Sequence, residues 1–106
     1  MSSFSKNASL SLEEAATVFS AVGSAARIEI LLNIIDAGAE GLTISEIQQL
    51  LDIPASTLAH HLRFLLEAQL IVQEKHGRKR INRANKSKIE PLAEFIRSTF
   101  DLGKLK

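Results

Sequence analysis

Seven cations follow one another without an intervening acid between Glu74 and Glu90, which makes them the residues of this 106-residue chain best suited to bind an anion. Such a run attracts phosphates whatever the nucleotide sequence, but it also occurs as an ordinary solvated face. It therefore indicates a nucleic-acid contact only where the neighbouring elements support one. Its members are Lys75, Arg78, Lys79, Arg80, Arg83, Lys86 and Lys88.

A second set of residues lies just before this run, on the outer face of a predicted helix at residues 55–68. Leu58, Leu62 and Leu65 share the opposite, apolar face at the helical period. The outer face combines small side chains for close approach, hydroxyl groups for phosphates and an arginine for a base edge, as recognition in a major groove requires. Its residues are Ser56, Thr57, Ala59, His60 and Arg63.

The three histidines do not make a catalytic or metal-binding set. His60 and His61 are adjacent, so they point about 100° apart on a helix and cannot chelate one ion together. We expect His61, on the apolar face, to be packed and hydrogen-bonded, and His76 to lie at a turn. Because the chain also lacks cysteine, a Gly-rich phosphate loop and a His-Glu-x-x-His motif, the sequence predicts no enzyme activity, no cofactor and no metal site.

Helix caps and hydrophobic periodicity predict five helices and one hairpin around these residues. Ser11, Thr43 and Ser87 each begin a capping box, with a glutamate three residues later. The predicted helices are 12–22, 24–37, a short one after Thr43, 55–68 and 88–101, and the hairpin has strands 70–75 and 78–83 around a His76-Gly77 turn. The stripe predicted to be buried in the second helix is Ile28, Leu31, Leu32 and Ile35.

The order helix, turn, helix and basic hairpin is typical of a winged helix-turn-helix domain, whose second helix enters the major groove. The predicted fold is mainly α, with about five helices and a two-stranded wing. Strand alternation puts Arg78 and Arg80 on one face of the wing and Lys79 on the other, and we expect at least one face to meet DNA. The predicted organisation is a flexible tail at 1–10 and one DNA-binding domain at 11–102, with the helix-turn-helix at 43–68, the wing at 70–83 and a dimerisation helix at 88–101.

Amphipathic helices at both ends of the domain predict a homodimer. A complete winged module does not need two further apolar stripes for its own core, so we expect them to join two copies of the chain. The predicted interface residues are Leu12, Ala15, Phe19, Leu92, Ile96, Thr99 and Phe100.

Two stretches, GSAARIEILLNI and LTISEIQQLLDIPASTLAHHLRFLLEAQLIVQEKHGRKRINR, resemble the ArsR/SmtB family of bacterial and archaeal transcriptional repressors. The resemblance covers about residues 17–97, and its most specific part, STLAHHLRFLLEAQLI, is similar to the recognition-helix signature of that family. It implies that the same five outer-face residues face DNA and that Arg78 and Arg80 belong to the wing. It also implies a homodimer joined through the first and last helices.

The sequence departs from this family at two places. Many members sense metals through cysteines on the third helix or acidic and histidine ligands on the last, but SEIQQLLDI and KIEPLAEFIRSTFDLG contain neither Cys nor His. Carboxylates alone make a poor zinc site, so we expect no metal sensing of the Cys or His type. Gln69 stands where the family commonly has glycine, and we expect the helix to end differently there, since a left-handed residue would cost about 1 kcal/mol.

These features predict a repressor that binds a two-fold symmetric operator as a homodimer. Its release from DNA would require an effector, such as a small molecule, that the sequence does not identify. Residues 1–53 hold two basic and seven acidic residues, and residues 54–106 hold eleven and five, so the positive charge lies in the half with the predicted DNA-contacting elements. No apolar run approaches the roughly 18 residues that cross a bilayer, so we expect a cytoplasmic protein with no membrane partner. The alternatives are a winged-helix protein-interaction module and a non-specific DNA-binding protein.

Overall fold

The computed structural model describes residues 10–100 and 102–105, and the predicted mainly α, winged helix-turn-helix fold is confirmed. Taken singly, no helix in the described ranges is long and apolar enough to cross a membrane. The elements are α1 (Leu12–Ala21), α2 (Ala25–Asp36), β1 (Leu42–Thr43), α3 (Ile44–Leu51), α4 (Ala55–Glu67), β2 (Ile71–His76), β3 (Lys79–Ala84) and α5 (Lys86–Thr99), with 3-10 turns at Gly38–Glu40 and Leu102–Leu105.

The sheet has a third strand that the sequence pattern does not predict. β3 lies in the middle, paired with β2 on one side and with β1 on the other. Leu42 lies opposite Asn82, and Thr43 lies opposite Ile81. Two residues are too few to carry a strand period, so nothing in the sequence marks β1. The pairing ties the wing to the start of α3, which follows β1 directly.

The hairpin turns one residue later than predicted. His76 pairs with Lys79, so the loop is Gly77-Arg78 rather than His76-Gly77. Gly77 has a φ of 62°, which suits the first position of a two-residue type II′ loop. Arg78 therefore lies in the turn, and the prediction that it shares a strand face with Arg80 is wrong.

The apolar face of α4 is buried as predicted. Leu58, Leu62 and Leu65 are at most 2% exposed, and they share one cluster with Ile30 of α2 and Ile47 of α3. Burying one such leucine stabilises the fold by about 1.5–3 kcal/mol. This burial fixes the rotation of α4 about its axis and turns the opposite face outward.

The buried face of α2 is not the predicted one. Ile30 and Ile34 are fully buried, and of the predicted stripe only Leu31 packs against the core. Six of the eight residues from 28 to 35 are apolar, so periodicity alone selects no face, and packing against α4 and β3 decides. The exposed residues of the predicted stripe are Ile28, Leu32 and Ile35, at 44%, 58% and 41%.

The capping boxes at Ser11 and Thr43 are present, but the one predicted at Ser87 is wrong. α5 begins at Lys86 after Asn85, and the Ser87 hydroxyl donates to Asn85 Oδ1 at 2.8 Å. The backbone N–H of Asn85 donates to the carbonyl of Leu70, just after α4, at 2.9 Å. This contact with the chain that follows α4 sets where α5 begins.

A small second cluster joins α1 to α5. Leu10 was assigned to the flexible tail, but it is buried with Ala15 and Phe95. The remainder of the predicted tail, residues 1–9, lies outside the described residues, as does Asp101 at the predicted end of the last helix.

Gln69, two residues after α4, has the left-handed conformation, with a φ of 63°. The prediction that α4 ends without a left-handed residue at this position is therefore wrong. Its backbone N–H donates to the carbonyl of Leu66 at 2.9 Å, and the N–H of Leu70 donates to that of Leu65 at 3.0 Å. These two bonds form a Schellman motif, in which glycine is the usual left-handed residue. The motif is kept here in spite of the strain on a residue with a Cβ atom.

Replacing Gln69 by glycine is therefore expected to raise the free energy of unfolding by about 1 kcal/mol, because glycine adopts this conformation without strain. Urea denaturation followed by far-UV circular dichroism measures the change. The matched control is Gln49→Gly within α3, which is expected to lower the same free energy by about 1 kcal/mol. Equal destabilisation by both changes would contradict the assignment of strain to Gln69.

Candidate nucleic-acid interface

The outward face of α4 brings together all five residues that the sequence singles out on this helix. Leucine side chains on the other face anchor the helix in the core, so the outward residues are exposed. They begin in the first turn and end in the third, at Arg63. The five exposed residues are Ser56, Thr57, Ala59, His60 and Arg63.

The first turn of α4 is suited to an anion. Its N-cap is Pro54, which makes no side-chain hydrogen bond to the N–H groups of that turn. N–H groups at a helix N-terminus, together with the helix dipole, favour a phosphate at that position. The hydroxyl groups of Ser56 and Thr57 lie in the same turn, so this end of α4 carries several hydrogen-bond donors for the phosphates of one nucleic-acid strand.

The tip of the wing carries four exposed cations. Lys75 lies directly opposite Arg80 on neighbouring strands, and Lys79 lies opposite His76. Arg78 completes the group from the turn. Like charges on paired strands repel one another, and a polyanion placed against them would relieve that repulsion.

Two of the three remaining cations of the run, Arg83 and Lys86, form ion pairs with carboxylates. Arg83 donates through Nε to the carbonyl of Ala39 at 2.7 Å and through Nη1 to Glu74. The Arg83 guanidinium, by its hydrogen bond, holds the pKa of the Glu74 carboxyl below its usual value. Lys86 Nζ lies 3.6 Å from Glu90 Oε2. The electrostatic footprint is therefore smaller than the seven residues that the sequence suggests, because strand pairing brings Glu74 and Arg83 together.

A cleft of about 460 Å³ separates the wing tip from the first turn of α3. Ser45 and Glu46 line one wall, and Arg78, Lys79 and Arg80 line the other. Ser45 is exposed and adds a hydroxyl beside the cations. The sequence gives no sign of this neighbourhood, because it depends on the pairing of β1 with β3.

The two histidines of α4 have different environments. His60 is exposed, and its ring forms a T-shaped contact with the ring of Phe64, with the centroids 5.0 Å apart. His61 is half-buried, with Nδ1 3.4 Å from Nη1 of Arg27, so its predicted packed and hydrogen-bonded role is confirmed. Burial lowers the pKa of His61, and the charge of Arg27 and the neighbouring His60 lower it further.

The residues predicted to join two subunits fall into three groups by their exposure. Ala15 is buried inside the chain and presents no surface to a partner, so its place in the predicted interface is wrong. Leu92 and Thr99 are half-buried. The exposed members of the predicted set, on α1 and on or next to α5, are Leu12, Phe19, Ile96 and Phe100, at 57%, 39%, 38% and 53%.

Within residues 10–100 and 102–105, no three His, Asp or Glu side chains lie close enough together to hold a metal ion. His76 Nε2 lies 3.4 Å from Glu74 Oε2 at the wing, which makes a pair and not a ligand set.

Comparison with known proteins places the chain in a family. The sequence model of a family described as a helix-turn-helix domain matches residues 22–74, which is half of the chain. A search of curated proteins found no match to the chain. The structure is similar to that of an ArsR family transcriptional regulator, with a TM-score of 0.75, 21% identity and coverage of 92% of this chain and 97% of the other.

Two further solved structures are similar over most of their length. An ArsR-like transcriptional regulator from Rhodococcus sp. RHA1 matches with a TM-score of 0.71 and 27% identity, over 81% of this chain and 78% of the other. Reduced HlyU from Vibrio cholerae matches with a TM-score of 0.65 and 20% identity, over 80% and 87%. The chain is thus a winged helix-turn-helix member of the ArsR family of DNA-binding transcriptional regulators.

Proposed function

We propose that this protein is a repressor that binds a two-fold symmetric operator as a homodimer. The observation that carries the proposal is the division of α4: three leucines hold one face in the core, and the other face offers small residues, hydroxyls and Arg63 to the solvent. Such a face can lie against base edges, and an arginine there can bind guanine through two hydrogen bonds. Occupancy of a promoter then excludes polymerase sterically.

In this proposal the wing supplies affinity rather than sequence reading. Each phosphate that a cation neutralises in duplex DNA steepens the logarithmic fall of affinity with salt by about 0.9. The wing tip has four cations, so the wing of one subunit can neutralise at most four phosphates and add at most four such increments to the salt dependence. Arg83 takes no part, because Glu74 and the carbonyl of Ala39 already bind it.

The dimer would form through α1 and α5, where the exposed apolar side chains of the predicted interface lie. It would place the two copies of α4 about one turn of DNA apart, roughly 34–36 Å, in successive major grooves. Regulation would come from an unidentified small molecule that binds the DNA-free dimer better than the DNA-bound dimer, a coupling of typically about 1–3 kcal/mol. With neither Cys nor His on α3 or α5, that effector is not a metal bound by thiolate or imidazole on those two helices.

The division of labour between α4 and the wing predicts different losses for two arginine variants. Arg63→Ala is expected to weaken binding to the operator by about 1–3 kcal/mol and to leave binding to scrambled duplex almost unchanged. Arg80→Ala is expected to weaken binding to both duplexes and to lower the salt slope by about 1 per subunit. Fluorescence anisotropy at several salt concentrations measures all of these quantities.

Lys104→Ala is the control for that experiment, because it removes an exposed cation from the 3-10 turn after α5. It should change neither affinity nor slope. If Arg63→Ala and Arg80→Ala lowered binding equally on every duplex, the assignment of base reading to α4 would be wrong.

The proposed interface predicts that a charge on α5 separates the subunits. Ile96→Glu should place a carboxylate in the apolar contact and shift the sedimentation coefficient from that of a dimer to that of a monomer. Leu32→Glu is the matched control, because Leu32 is more exposed than Ile96 and lies on α2, outside the proposed interface. A dimer that survives Ile96→Glu but dissociates with Leu32→Glu would move the interface to α2.

A further inference from the structure

Arg27 lies in the first turn of α2, outside the helix-turn-helix pair, yet it contacts α4 with both the edge and the face of its guanidinium. Its Nε donates to the carbonyl of Ala21 at 2.6 Å, and its Nη1 lies 3.4 Å from His61 Nδ1. The guanidinium carbon lies 4.4 Å from the centroid of the Phe64 ring. A half-buried arginine with these contacts is held in one orientation.

The contacts continue from Arg27 to the exposed face of α4. Phe64, whose ring Arg27 covers, meets the ring of His60 edge-on, with an interplanar angle of 81°. His60 is one of the five residues proposed to face DNA. A continuous set of contacts therefore runs from the carbonyl of Ala21, at the end of α1, through a guanidinium and an aromatic ring to a side chain on the recognition surface.

We propose that Arg27 is a positioning residue for DNA recognition, which sets the orientation of His60 through Phe64 and holds α4 against the end of α1. The proposal rests on the proposed function in one respect, namely that the exposed face of α4 contacts DNA. A planar fork is needed, because one group must bind the Ala21 carbonyl, approach His61 and stack on Phe64 at once. Lysine could supply the charge but not these three contacts together.

A hydrogen bond from Arg27 to Nδ1 of His61 requires a neutral His61. An arginine N–H can only donate, so Nδ1 of His61 must accept, and its ring proton must lie on Nε2. Arg27 from α2 and His60 from the same helix are the groups that act electrostatically on the His61 ring. Protonation of His61 would place a second N–H donor against Arg27. Because the pKa of His61 lies below 6.5, the ordinary value for histidine, the contact between Arg27 and His61 should be lost only as the pH falls through that lowered pKa.

A double-mutant cycle tests the proposal, with Arg27→Lys and His60→Ala as the single changes and anisotropy on the operator as the measurement. If Arg27 acts through His60, Arg27→Lys should weaken binding about tenfold in the parent protein and much less in the His60→Ala background. Equal losses in both backgrounds, or no loss in the parent, would overturn the proposal. Arg97→Lys on α5, where the arginine binds Glu94, is the matched control and should leave affinity unchanged.

Two further measurements separate a positioning role from a merely structural one. Long-range ¹H–¹⁵N spectra of the free protein should show the Nε2–H tautomer of His61, and Arg27→Lys should convert it to a mixture while the far-UV spectrum is unchanged. If that variant loses helix, Phe64→Leu replaces it in the cycle with the same expected result. If the parent binds no duplex, the proposed function fails, and an unchanged His61 tautomer in Arg27→Lys would then overturn the positioning role separately.

Discussion

The burial of one face of α4 is the constraint on which the rest of this molecule depends. Leu58 and Leu65 are completely buried, as are Ile30 of α2 and Ile47 of α3 in the same cluster. Rotating α4 by one residue, about 100°, would expose these leucines and lose several kcal/mol. The direction in which the exposed face of α4 points follows from this packing. The surface proposed to contact DNA is therefore already formed in the protein without DNA.

The sheet extends this rigidity to the wing through one buried polar residue. Asn82 is fully buried, donates to the carbonyl of Leu42 at 3.1 Å and accepts from the Gln73 amide at 2.8 Å, so it joins all three strands. Gly41 makes room for it, because a Cβ at that position would lie 2.5 Å from the Asn82 carbonyl oxygen. The wing is therefore fastened to the start of α3 as well as to the strand beside it, and its cations stand at a set place relative to the helix-turn-helix pair.

Local patterns predict much of this structure, and the failures occur where long-range contacts decide. The two faces of α4 and the capping boxes at Ser11 and Thr43 depend on residues within a few positions of one another, so the sequence predicts them. The buried face of α2, the start of α5 at Asn85 and the engagement of Arg83 each depend on partners distant in the chain. The left-handed Gln69 is a different kind of failure, because its local conformational preference is overridden by the hydrogen bonds that end the helix.

The proposal that α4 reads a specific duplex as half of a symmetric dimer can be tested by selecting binding sites from randomised DNA. The affinity of the protein is then measured on the enriched site and on a scrambled copy of it. A symmetric dimer should select an inverted repeat with half-sites about 10–10.5 base pairs apart between centres. The dimer should also bind the enriched site about 10³-fold or more tightly than scrambled DNA. Recovery of no common sequence, with equal and equally salt-dependent binding to every duplex, would contradict the proposal.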